Sequence, residues 1–129
     1  MTTMVTREIP RNEWTQFFDS FSRRHEGWLV TVEVFDRKLG AQVEAEGRPL
    51  KGIAADRGGG DPDIEILTGR GGDDSFTHIV AHPTQVQVEE TEEGAEAAIE
   101  IKSVNEGTTL VRFRSAILPE SVDGVVPDH

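Results

Sequence analysis

Histidine and carboxylate side chains carry most of the chemistry open to this chain, which has 4 histidines, 24 acidic residues and no cysteine. The absent cysteines exclude disulfides, thiol nucleophiles, iron–sulfur clusters and thiolate zinc sites. His78 and His82 are four apart, a spacing that on a helix would set two metal ligands on one face. Phe76–Ala81 alternates like a strand, however, and Pro83 follows, so the two imidazoles fall about 13 Å apart and cannot share an ion. Asp61, Asp63 and Glu65 alternate as in a calcium loop, but the sixth position, which needs glycine, is Ile66.

Asp61, Asp63, Asp73 and Asp74 flank one short strand in glycine-rich turns, where carboxylates are ordinarily solvated. Paired acids doing acid–base work need burial or a neighbour that separates their pKa values. No catalytic, cofactor or metal residue is therefore assigned, and no cofactor is expected. His78 with those four aspartates forms the site of an alternative reading, a small hydrolase or metal-assisted enzyme. The runs Gly58-Gly59-Gly60 and Gly69-Arg70-Gly71-Gly72 neither open a helix nor supply the lysine of a phosphate cradle. No serine sits in a Gly-x-Ser-x-Gly elbow.

The elements that must position these residues are one helix and about eight short strands. Trp14, Phe17, Phe18 and Phe21 repeat at helical spacing and predict a helix over 10–25. Pro10 suits its start, Arg23, Arg24 and His25 its negative end, and Gly27 a left-handed cap. From Trp28 the period becomes two: Trp28–Phe35 and Ala41–Glu46 form a hairpin around Asp36–Gly40. Further runs at 50–56, 63–68, 76–81, 85–90, 95–102 and 108–114 are bounded by turn residues. Residues 1–6 are expected to be disordered, and 115–129 to form an extended arm of a single domain, 1–129. The fold class is α+β, mainly β: an N-terminal amphipathic helix packed on an antiparallel meander that forms a small barrel or a strongly curved sheet. Leu29, Phe35 and Leu110 put apolar side chains on the face opposite Val30 and Val32, which predicts a homodimer.

Charge narrows the partners. The net charge is -11, and the first thirty residues are balanced, so the whole excess lies beyond them. Binders of phosphate backbones carry clustered Lys and Arg, so nucleic acid is excluded as a partner. No apolar run approaches the roughly 20 residues a bilayer needs, so no membrane partner is expected and a cytoplasmic location is the reading. Glu89, Glu90, Glu92, Glu93, Glu96 and Glu100 crowd one hairpin and read as a solvated face.

Arg7-Glu8-Ile9-Pro10-Arg11, Trp14, Phe17, Phe21-Ser22-Arg23 and His25-Glu26-Gly27-Trp28-Leu29-Val30-Thr31 resemble a family of small bacterial proteins known as a domain of unknown function. Leu118-Pro119-Glu120-Ser121-Val122-Asp123-Gly124-Val125 is similar too, with Ser121 where threonine is expected. The resemblance spans about residues 7–125 and implies a bacterial single-domain protein with no catalytic residue to carry over. Trp14, Trp28 and His25 also stand as a candidate aromatic pocket, since aromatic side chains line pockets as well as cores. The leading reading is a non-catalytic binding or structural module that self-associates.

Overall fold

A computed structural model describes residues 4–36, 38–55, 63–71, 74–104 and 107–113. The helix forms where the aromatic spacing places it. Pro10, with φ -61, leads into a 3-10 turn at Arg11–Glu13, and α1 runs Trp14–His25. Its buried stripe is Trp14, Phe18, Phe21 and His25, with Phe17 half-buried at its side. Three basic residues occupy the last turn, where the helix dipole favours them. Gly27 then takes φ +88, and its N–H donates to the Leu50 carbonyl at 2.8 Å, so the chain enters the sheet directly from the helix.

Eight strands pair antiparallel: β1 (Met4–Ile9), β2 (Leu29–Asp36), β3 (Gly40–Ala55), β4 (Ile64–Gly71), β5 (Asp74–Val80), β6 (Pro83–Thr91), β7 (Glu96–Ser103) and β8 (Gly107–Phe113). Their order is β1-β6-β7-β8-β2-β3-β4-β5. Two meanders, β2–β5 and β6–β8, are thus joined by pairing β8 to β2, where a single continuous meander was expected. The sheet ends on β1 and β5 and is not closed, so the expected barrel is not observed. From Met4 onward the expected N-terminal disorder is corrected as well: Met4–Ile9 pairs with Thr91–Val86. The arm expected at 115–129 lies outside the described residues.

The two runs read as 41–46 and 50–56 are one strand of 16 residues, β3. Its first part pairs with β2 and its last with β4, with register shifts opposite Val30–Glu33 and between Leu50 and Gly52. Extra residues of this kind bend a strand and sharpen its twist. Ser22 of α1 fastens the helix to that bend: its hydroxyl accepts the Ile53 N–H at 2.8 Å and donates to the Ile53 carbonyl at 3.1 Å. One buried cluster joins Trp14, Phe18 and Phe21 to Ile64, Ile66 and Val80 of β4–β5 and to Val86, Val88, Ile99 and Ile101 of β6–β7.

Candidate functional site

The β4–β5 hairpin strings the predicted polar residues along its length. His78 lies opposite Ile66, and its Nε2 is buried without a hydrogen-bond partner. Asp74 starts β5 and accepts a bond from Arg48 at 2.6 Å. Asp63 precedes Ile64, which pairs with Val80 at the opposite end of β5. Seven residues of strand, about 23 Å, thus separate the levels of Asp63 and Asp74, with His78 between them. Asp61 and Asp73 lie outside the described residues. No group of three or more His, Asp or Glu side chains could hold a metal among the described residues. His82, beyond β5, has φ 53 and presents its carbonyl to the Val104 N–H at 3.3 Å.

The proposed trio of aromatic-pocket residues is divided by the helix. Trp14 and His25 are eleven residues apart, about 16 Å along the axis. Trp14 is buried, donates its indole N–H to the Ile9 carbonyl at 2.9 Å and lies under the Arg11 guanidinium at 4.7 Å. His25 packs instead with Trp28 at 4.6 Å, Phe113 at 4.7 Å and Phe21 at 4.4 Å between ring centroids. Trp28 and His25 therefore share one aromatic joint, and Trp14 belongs to another part of the core.

That joint is ionic as well as aromatic. His25 Nδ1 lies 2.9 Å from the Phe21 carbonyl and Nε2 lies 3.3 Å from Glu96 Oε1, which also takes an Arg24 bond at 2.7 Å. Burial lowers the His25 pKa from its ordinary 6.5; the Phe21 carbonyl and Glu96 oppose that shift, and Arg24 adds to it. Glu96 is the residue that sequence reading missed. It sits in the acidic run taken as a solvated face, yet it is buried with His25. A cleft of about 430 Å³ between α1 and the β1–β6–β7 end has Arg24, Glu96, Arg7 and Phe17 in its wall.

A cleft of about 670 Å³ lies at the other end of the sheet, where the β2–β3 and β7–β8 turns meet β6. Phe35 and Val104, 41% and 67% exposed, give it apolar surface, and Lys38 and Lys102 give it charge. The Asp36 carboxylate accepts the N–H groups of Lys38 and Leu39 at 2.7 and 3.1 Å, which hold its pKa below the ordinary carboxylate value. Thr84 donates to the Lys102 carbonyl at 3.3 Å and Ser103 to the Ala81 carbonyl at 2.9 Å, fixing the β6–β7 wall. Gly107 closes the corner at φ +78, where a Cβ would overlap the Phe35 carbonyl. The sequence marked Phe35 for its apolar face and Asp36 as a turn residue, and none of the lining residues as part of a site.

A family model matches residues 5–122. The chain belongs to this family of unknown function, DUF5335. The DUF5335 match begins inside β1 and continues past the end of β8, so it takes in the helix, the aromatic joint and both clefts. An uncharacterized protein of Aquifex aeolicus (strain VF5) is similar, at 35% identity over 119 residues, covering 91% of this chain and 100% of that protein. No solved structure matches the DUF5335 chain.

Proposed function

We propose that this DUF5335 chain is a non-catalytic binding or structural module of a bacterial cytoplasm, acting as a homodimer on a strongly curved, unclosed sheet. The observation that carries the reading is the dispersal of the polar candidates: His78, Asp63 and Asp74 occupy three separate levels of one hairpin. The polar groups at the aromatic joint tie the helix to β7, because Glu96 holds both His25 and Arg24. Curvature is supported by the β5–β6 link. Only Ala81 and His82 separate the two strands, a span of at most about 11 Å. Strands six places apart, as these are, would lie roughly 29 Å apart in a flat sheet.

Self-association is supported by Val43 and Ile79, apolar side chains exposed on β3 and β5. Light scattering at micromolar concentration should return the mass of two chains, and a monomer would remove that part of the reading. Ester and phosphoester hydrolysis, with and without divalent metals, should not exceed that of a His78→Ala control. Turnover that disappears in His78→Ala would establish the enzyme instead.

A further inference from the structure

We propose that the turn-end cleft binds a small amphipathic monocarboxylate, with its anionic group between Lys38 and Lys102 and its apolar part on Phe35 and Val104. The assignment rests on reading the chain as a binding module and names the ligand class. Charge is the first argument. Arg7, Arg24, Arg48 and Arg112 each hold a carboxylate of this chain, whereas neither Lys38 nor Lys102 has an ion-pair partner among the described residues. A chain with net charge -11 repels anions at long range, so an anion is held only where cations converge at short range. Two of the chain's three lysines line this one cleft. An ammonium is a compact charge that takes a carboxylate without the fork geometry of a guanidinium.

Asp36 decides the ligand's charge. Its carboxyl, kept ionised by two backbone N–H groups, lies in the same cleft and leaves room for one negative charge rather than two. The exposed ring of Phe35 and the Val104 side chain decide the rest, because a purely ionic ligand would leave them in water. The volume falls within the range of about 300–1,000 Å³ that small ligands occupy. The walls are preformed by the Thr84, Ser103 and Asp36 hydrogen bonds, which lowers the ordering cost of binding.

The test titrates octanoate, acetate, octan-1-ol and inorganic phosphate into the full chain labelled with 15N, at low salt. Octanoate should move amide signals of Phe35, Asp36, Lys38, Leu39, Lys102–Val104 and Gly107–Thr108, and saturate them. Acetate and octan-1-ol, each supplying half of the chemistry, should bind at least roughly tenfold more weakly. Replacing both lysines, Lys38→Gln with Lys102→Gln, should raise the octanoate Kd at least roughly tenfold while the amide spectrum away from the cleft stays that of the folded chain. The paired Lys38→Arg and Lys102→Arg variant keeps the charge and should retain binding. Absence of shifts in the cleft, octan-1-ol binding as tightly as octanoate, or unaltered affinity in the glutamine variant would overturn the site. Phosphate binding more tightly than octanoate would overturn the monocarboxylate. None of these outcomes touches the module reading, which fails only if the chain turns over a substrate.

Discussion

His25 answers to burial and to three neighbouring groups at once, and its titration should be visible in the stability of the whole chain. A carbonyl can only accept, so the Phe21 contact places a hydrogen on Nδ1, and Nε2 is the nitrogen that gains a proton on acidification. Ring 15N shifts at neutral pH should therefore report the Nδ1–H tautomer. Burial, the largest influence, makes the folded pKa lower than 6.5. Between the ordinary value and the lower folded one the unfolded chain holds more protons, so stability falls as pH drops through that window. Denaturant midpoints measured from about pH 7.5 down to 5 should decline, and His25→Gln should flatten the part below pH 6.5. Parallel profiles for the two proteins would assign the decline to other groups.

At the scale of elements, the helix and the bent strand stabilise each other, and single substitutions separate their contributions. Phe21 is wholly buried against Phe113, with ring centroids 5.7 Å apart, so Phe21→Ala should cost about 3–5 kcal/mol in chemical denaturation. Phe17 is half-buried on the flank of the stripe and should lose less than Phe21, about 1–2 kcal/mol. Equal losses would mean the stripe is not graded by burial. Ser22→Ala removes both bonds to Ile53 and leaves a part-buried backbone N–H and carbonyl facing a methyl group, at a cost of about 1–3 kcal/mol. A change within about 0.5 kcal/mol would show that water replaces the hydroxyl there.

What the sequence made legible at this scale follows from range. Aromatic spacing is local, so α1 was readable to within its first turn, as were the glycine cap and most strands. β1 was not, because Met4–Glu8 are exposed and only Ile9 is buried, which leaves no alternation to detect. β3 read as two strands because Gly47 and Pro49 look like a turn, whereas the structure uses this region to bend one strand. The β8–β2 pairing joins residues about eighty positions apart and leaves no local mark. Glu96 was hidden by its acidic neighbours, and Lys38 and Lys102 by their separation, one in the β2–β3 turn and one near the end of β7, which only the sheet brings together.

The whole molecule carries an excess of eleven negative charges on a small surface, and salt should expose it. Like charges repel more in the folded chain than in the expanded one, so repulsion subtracts from stability. Dissolved salt screens it over a Debye length of about 8 Å at physiological strength and about 3 Å at 1 M. The same salt weakens the ion pairs Arg7–Glu90, Arg24–Glu96, Arg48–Asp74 and Arg112–Glu33. In each of these at least one partner is well exposed to water, and exposed pairs contribute only about 0–1 kcal/mol apiece. Uncompensated repulsion, summed over many acids, is the larger quantity, so the melting temperature should rise with KCl, most steeply below about 0.5 M. Potassium chloride is the appropriate salt, because sulfate would stabilise any fold by exclusion from its surface. The acids that repel one another also repel phosphate backbones, so DNA and RNA should show no retention on a filter at physiological salt. A melting temperature that falls with KCl would mean that the four ion pairs outweigh the repulsion. A filter-binding signal would mean that the basic residues form a surface of their own, apart from the acids.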